Sequence, residues 1–514
     1  MTEAEPAVEH PQPDIVAKED YSVFTKNQKR ALIIAGSFAA WFSPMTGSIY
    51  YPALTQIANS LHVSSSKVNI TVTTYLIVQG LAPMMIAGFS DKAGRRPAYF
   101  ICFTIYIIAN LALSLQDNYY ALLFLRMLQS GGSSGTVALA NGLVGDTVTS
   151  VERGQYVAFA SLSSMLGPTL SPVLGGVISQ YAGWHWIFWF LFILSIVFFI
   201  PFALFLPETC RKIVGDGSVP PPWTSANLTD KWRFQNRAKR GIEVDLEKEA
   251  ELRKNYKISA PNPVGTLIVL ADFETAIILI SIGLAFSCFY ALSTGASVAF
   301  GRLYGFDDLY VSLMFLPIGA GSVVSAFTTG KLVDWNYRRH AKRLNFPMVK
   351  NRQTDLSTFP IEQARMQIAV PLGFLAGAAL IGYGWMMDHK VSLAGPVIIL
   401  FVFGYCIIAV SQCLTILMVD IYPGQPATAT AANNVVRCLL GAAATAAITP
   451  MTNAMGNGWA YTTLALLLIL SLAAPISSMV YGIEWRRAKK ERAEQKKKAR
   501  QCKAEGQSRK GDST

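Results

Sequence analysis

The sequence predicts an all-α integral membrane protein with twelve transmembrane helices in two pseudo-symmetric six-helix bundles. Three observations carry this. Of 514 residues, 52% are hydrophobic and 15% charged, where a soluble domain carries about 25% charged residues. The apolar residues fall in blocks of the length that a hydrocarbon core ~30 Å thick asks of a helix, roughly 20 residues. The blocks come as six, a polar break, and six more.

The first thirty residues are polar, acidic and Pro-containing, with no apolar run at the start. They read as a disordered N-terminal tail over 1–30, without a cleavable signal. Apolar blocks then lie at 31–51, 68–89, 98–115, 119–145, 155–181 and 186–206, an N-terminal bundle spanning 31–206. The polar stretch 207–265 is the middle loop. A second bundle, 266–482, holds blocks at 274–300, 308–333, 367–387, 394–421, 428–452 and 459–482. The remainder, 483–514, is a basic tail. Its run from Trp485 to Lys503 suits the inner leaflet or a disordered segment.

Orientation follows from Lys and Arg. With the N-terminus inside, inner loops hold Lys92, Arg95, Arg96 and Arg153, all the middle-loop cations from Arg211 to Lys257, and Arg338, Arg339, Lys342, Arg343, Lys350, Arg352 and Arg365. Outer loops hold only Lys67, Arg302 and Lys390. Both termini are therefore expected in the cytoplasm of a multi-pass protein of the cell membrane. The net charge of +12 belongs to these loops and tails, and no nucleic-acid motif accompanies it. Five of seven Cys lie inside apolar blocks and none forms a CxxC pair, so no disulfide framework, metal site or cofactor is expected.

A dense charge knot separates the second and third blocks: Gly88-Phe-Ser-Asp91-Lys-Ala-Gly94-Arg95-Arg96-Pro97. The second half echoes it after the eighth block, in Gly330-Lys-Leu-Val-Asp334-Trp-Asn-Tyr-Arg338-Arg339, with the Arg pair again four and five residues past the Asp. Two halves carrying one loop suggest duplication, with a pathway between them. Such charges serve either as a cytoplasmic gate or as a topology anchor. Asp146, Glu152 and Arg153 form a second inner cluster, gate or structure.

Within the blocks, Arg126 and Gln129 share a helical face, and an intramembrane charge defaults to a functional hypothesis. Arg437 is the second such cation. Tyr75, Gln79, Phe286, Tyr290, Tyr405 and Gln412 are aromatic or amide candidates for a cavity, each also explicable as packing. No Asp or Glu lies mid-span, so no residue presents itself as the proton carrier. Gly167, Ser171 and Gly175 make a small-residue stripe, with Pro168, Pro172 and Gly176 beside it. Two motifs mislead. Gly131-Gly-Ser133-Ser-Gly135 matches a hydrolase elbow but lies in a membrane helix, and Gly330-Lys331 lacks the Ser or Thr of a phosphate loop. The sequon at Asn227 falls in the cytosol and that at Asn69 close to the membrane.

Asp91 to Pro97 resembles the signature loop of the major facilitator superfamily. Arg126-Met-Leu-Gln129-Ser-Gly131 is similar to its RxxQG segment. Gly167 to Gly176 resembles its antiporter motif, with Ser171 in place of the central Gly, and Leu206-Pro-Glu208-Thr209 resembles the usual end of the sixth helix. Ile49 to Leu54 and Ala432 to Gly441 resemble the fungal twelve-spanner drug:proton antiporters of the quinidine-resistance type, a subgroup that also holds citrate exporters. The resemblance implies the major facilitator fold and no enzyme. It further implies proton-coupled efflux of drugs, secondary metabolites or other small molecules by alternating access, with multidrug resistance as a consequence, from a monomer. A citrate-like organic-acid exporter on the same fold is the alternative, and a non-transporting membrane sensor a lesser one.

Overall fold

The computed structural model describes residues 22–148, 153–222, 225–239, 246–255, 270–344, 360–421 and 426–486. Among these residues twelve long helices form. The N-terminal six are α1 (Lys26–Ser48), α2 (Ser65–Ala93), α3 (Arg95–Leu115), α4 (Tyr119–Thr147), α5 (Arg153–Ala182) and α6 (His185–Phe205). The C-terminal six begin with α7 (Phe273–Tyr304), α8 (Phe315–Arg343), α9 (Ile361–Asp388) and α10 (Ala394–Ile421). The last two, α11 and α12, are the arms of Pro426–Ser471, which turns at Gly456 (φ 81°); helix continues over 473–486.

Local chemistry sets the helix ends. Thr25 and Gln28 cap α1 reciprocally, so α1 starts at Lys26, before the apolar block begins at Ala31. Ser64 caps α2 through Lys67 N, and Asn118 caps α4 through Tyr120 N at 2.8 Å. Eight described segments, the last covering both α11 and α12, are long and apolar enough to cross a membrane. The runs of α1, α4 and α5 are of spanning length but diluted with Gly, Ser, Thr and Pro. Large apolar side chains such as Phe124, Val197, Leu470 and Val480 point outward, as a lipid solvent permits.

The two halves repeat one packing scheme. In the first, α1 packs on α4 and α5, α2 on α4, and α3 on α4 and α6. In the second, α7 packs on α10 and on the α11–α12 pair, α8 on α10, and α9 on α10 and α12. The halves meet where α2 lies along α11 and α5 along α8. The described contacts between them run from mid-span to the face away from the termini, called here the far face. Asn69 Nδ2 donates to Thr449 Oγ1 at 2.6 Å, and Thr73 and Thr445 hydroxyls lie 3.4 Å apart. Ser297 Oγ donates to Tyr51 O at 2.6 Å, and Ser179 Oγ to Asp308 Oδ2 at 2.5 Å.

The small-residue stripe packs within a half, not between halves. A Cβ at Gly167 would stand 2.9 Å from Pro44 of α1, and one at Gly175 would collide with the Ile49 carbonyl. Ser171 Oγ turns back to the Gly167 carbonyl. The neighbouring positions face the other half: Thr169 against Gly319, and Gly176 against Ser312 and the Asp308 carbonyl. The rotation between stripe and boundary is therefore one or two residues along the helix, a distinction spacing alone does not make.

Candidate functional site

The charge knot is built on one glycine and one distant carboxylate. Gly94 has φ +111°, which ends α2 and lets α3 start at Arg95. A Cβ there would stand 2.5 Å from Glu208 Oε2. Glu208, just past α6, accepts Arg95 N at 2.9 Å and Arg96 N at 3.1 Å, and also Thr209 N and Cys210 N at 3.0 and 2.9 Å. It thus places a carboxylate on the orphan N–H groups and positive end of α3. Burial holds its carboxyl above the usual carboxylate range, against the four donors.

With α3 so fixed, the two arginines separate. Arg95 runs into the half: Nε meets Asp146 Oδ2 at 2.8 Å, and Nη1 meets Ser90 Oγ at 2.6 Å. Both partners of the ion pair are about nine-tenths buried. Arg96 turns the other way, donating to the carbonyls of Ala203 and Ala226 at 2.8 and 2.9 Å. This ties α6 and the start of the middle loop to the knot. Asn227, the sequon residue, is buried here and bonded to the Leu206 carbonyl; Asn69 of the other sequon is buried between the halves. Glu152 lies outside the described residues, as do the side chains of Asp91 and Arg153.

The echo in the second half has a different geometry. α8 runs unbroken through Asp334, Arg338 and Arg339, all exposed, with Arg339 over the Trp335 ring at 5.7 Å. The physical reason is one residue: Gly94 breaks the first helix, and the matching position is Tyr337, which continues the second. At this end of α8 the buried polar side chains are instead Asn336 and His340, both meeting Gln367 Oε1, at 3.2 and 2.9 Å. At the same end Arg486 pairs with the buried Glu362, Nη2 to Oε2 at 2.9 Å. Neither pairing has a sequence signal, because the partners lie far apart in the chain.

Arg126 is fully buried inside the N-terminal half. Its guanidinium lies 4.2 Å from the Tyr50 ring centroid and 4.3 Å from that of Tyr75, a cation between two π faces. Nη1 donates to Gln129 Oε1 at 2.6 Å, and Gln129 Nε2 to Asn110 Oδ1 at 2.6 Å. Its Nε and Nη2 have no hydrogen-bond partner among the described residues. The motif pair is thus brought together as the helical spacing requires; Tyr50 and Asn110 are additions. The glycines of the false elbow admit close packing: a Cβ at Gly132 would stand 2.6 Å from Tyr106 N of α3.

Arg437, half-buried in α11, donates to Asn434 Oδ1 at 2.7 Å and lies 4.8 Å from the Phe286 centroid. Asn434 in turn donates to the Gln79 carbonyl across the halves at 3.0 Å. Gln79 Nε2 reaches Ser43 Oγ at 3.4 Å, and Tyr75 OH reaches the Ser43 carbonyl at 3.2 Å. Tyr290 packs against Gly441 of α11. Tyr405 accepts from Thr328 inside the second half at 3.2 Å. Neither Arg126 nor Arg437 forms an ion pair among the described residues. Between the halves a small cavity of about 20 Å³ is lined by Ser48, Tyr51, Thr169, Phe289, Ser293 and Phe315.

The sequence model of the Major Facilitator Superfamily matches residues 36–446. The chain belongs to this superfamily. It is 52% identical over 489 residues to the MFS-type transporter phiD of Fungal sp., covering 95% of this chain and 74% of that one. It is 48% identical to the MFS-type transporter tstD of Talaromyces stipitatus, covering 93% and 86%. Citrate exporter 1 of Aspergillus niger is 32% identical, covering 93% and 91%. The fold matches the xylose transporter XylE of E. coli in a partially occluded inward-open conformation, with TM-score 0.58 at 12% identity, covering 88% and 99%. The human organic anion transporter MFSD10 aligns with TM-score 0.55 at 16% identity, covering 87% and 99%. This major facilitator protein is therefore a multi-pass membrane transporter of small molecules and not an enzyme.

Proposed function

We propose that this transporter exports small organic molecules from the cytoplasm by alternating access, with protons as the coupling ion and with both termini in the cytoplasm. Drugs, secondary metabolites and related compounds are the substrate class. The observation that carries the reading is the arrangement of the half–half contacts. From mid-span to the far face the halves are joined by single hydrogen bonds, most of them between neutral groups, such as Asn69–Thr449 and Thr73–Thr445, with the Ser179–Asp308 bond the one to a carboxylate among those described. Neutral hydrogen bonds of this kind contribute about 1 kcal/mol each, so a rocking motion breaks them at modest cost. With the far face outside, this is the outward-closed state, and the Lys and Arg bias supports that orientation. The knot of Arg95, Arg96, Asp146 and Glu208 then sits at the cytoplasmic ends of the N-terminal helices, where Asp91, Arg153, Asp334, Arg338 and Arg339 complete a gate in the opposite state.

A second reading is an organic-acid exporter. Arg126 and Arg437 are cations without an ion-pair partner among the described residues, and a relative is named Citrate exporter 1. Proteoliposomes with an imposed pH gradient distinguish the two. Gradient-driven movement of ethidium supports the drug reading, movement of radiolabelled citrate the acid reading, and a rate indifferent to the gradient removes proton coupling. The closed far face gives its own result. Thr73→Cys with Thr445→Cys is expected to cross-link under mild oxidation and to arrest transport reversibly. A cross-linked protein that still turns over would show that this contact does not open in the cycle.

A further inference from the structure

Beside the far-face contact of α2 with α11 lies another cavity, within the C-terminal half. It has about 230 Å³, room for roughly seven waters at ~30 Å³ each. From α7, Val298 and Leu303 give it apolar wall and Arg302 its cation; from α11 come Thr449, Thr452 and Asn453. Arg302 is exposed and has no ion-pair partner among the described residues; Nη1 donates to Asn453 Oδ1 at 3.2 Å. Asp388, the acid packed under Gly456, spends its oxygens on Asn457 N and Gly458 N at 2.8 and 2.7 Å. It caps α12 there and forms no ion pair with Arg302 among the described residues.

We propose that this cavity binds a small amphipathic carboxylate from the far face, and that its occupancy holds that face closed. The guanidinium fork matches a carboxylate in two parallel bonds; an oxyanion such as sulfate can use the same fork but brings no apolar body to Val298 and Leu303. Asn453, with Oδ1 given to Arg302, keeps its amide N–H groups to donate, and the Thr452 hydroxyl lies on the same wall. Val298 and Leu303 receive the apolar body. A cationic ligand would meet Arg302, and no carboxylate stands in the lining among the described residues.

The link to the closed state is Thr449. Its Oγ1 accepts from Asn69 Nδ2 at 2.6 Å across the halves, and a hydroxyl that accepts still has its own proton to donate. A carboxylate taking that proton polarises the hydroxyl and strengthens the bond from Asn69. External acid would therefore brake export. The direction of the brake rests on the orientation proposed above; the binding does not.

The test uses the full chain in nanodiscs and benzoate as the probe, with benzyl alcohol and sulfate as comparisons. Calorimetry is expected to show benzoate binding, with both comparisons weaker by about tenfold or more. Arg302→Gln is expected to weaken benzoate by about tenfold or more, and Arg302→Lys, which keeps charge without the fork, to fall between. In the Thr73→Cys, Thr445→Cys pair, benzoate is expected to raise the cross-linking rate, and to lose that effect when Arg302→Gln is added. Equal benzoate binding by the parent and Arg302→Gln, or binding of benzyl alcohol as tight as benzoate, would overturn the site. Cross-linking that stays level or slows at saturating benzoate would overturn the brake, whichever way the protein faces.

Discussion

Replacing Glu208 by alanine is expected to unseat the N-terminal end of α3 and to cost about 3 kcal/mol or more. The carboxylate accepts four backbone N–H groups, at Arg95, Arg96, Thr209 and Cys210, and each buried donor left unpaired costs about 1–3 kcal/mol. Water entering the gap recovers part of this. Two further consequences follow from position. Arg95 reaches Asp146 only because α3 starts where Glu208 holds it, and Arg96 reaches Ala203 and Ala226 from the same turn. Heating in detergent followed by size exclusion reads the effect as a lower temperature of half-loss. Glu208→Gln keeps one acceptor but turns an amide N–H toward a donor, so it is expected to recover part of the stability. An alanine variant as heat-resistant as the parent would reduce Glu208 to a bystander of the loop.

This interaction shows where the sequence is legible and where it stops. Asp91 to Pro97 reads as a structured charge knot, and Leu206 to Thr209 as the end of the sixth helix. That they are one structure does not read, because Arg95 and Glu208 are brought together by the packing of α3 on α6, across more than a hundred residues. Helix number and the two-bundle plan are legible because span length and hydropathy are local properties. The small-residue stripe is legible as a close approach, yet its partner, α1, is set by tertiary packing. The echo of the knot at Asp334 is present as spacing, whereas its geometry depends on Tyr337 standing where the first half has Gly94. Asp308 meeting Ser179 across the halves has no sequence signal at all: an acid at the start of a short helix reads as a cap.

Replacing Arg126 by alanine is expected to lower flux by about a hundredfold or more. A guanidinium within a span is costly, and here two tyrosine faces and Gln129 replace an acid as its compensation. A desolvated cation–π contact contributes ~2 kcal/mol, so the Tyr50–Arg126–Tyr75 stack ties the end of α1 to α2 through α4. The same stack carries the chain of bonds from Gln129 through Asn110 into α3. Removing the side chain therefore both deletes a charge and uncouples four helices, and loss of flux from alanine alone does not separate these. Lysine does: it keeps a cation near the rings but lacks the planar fork that stacks and bonds at once. Arg126→Lys is expected to fold and reach the surface as the parent does while transporting at least about tenfold more slowly. Flux at the parent rate in Arg126→Lys would mean that charge alone suffices at this position, and parent flux in Arg126→Ala would take Arg126 out of the transport cycle.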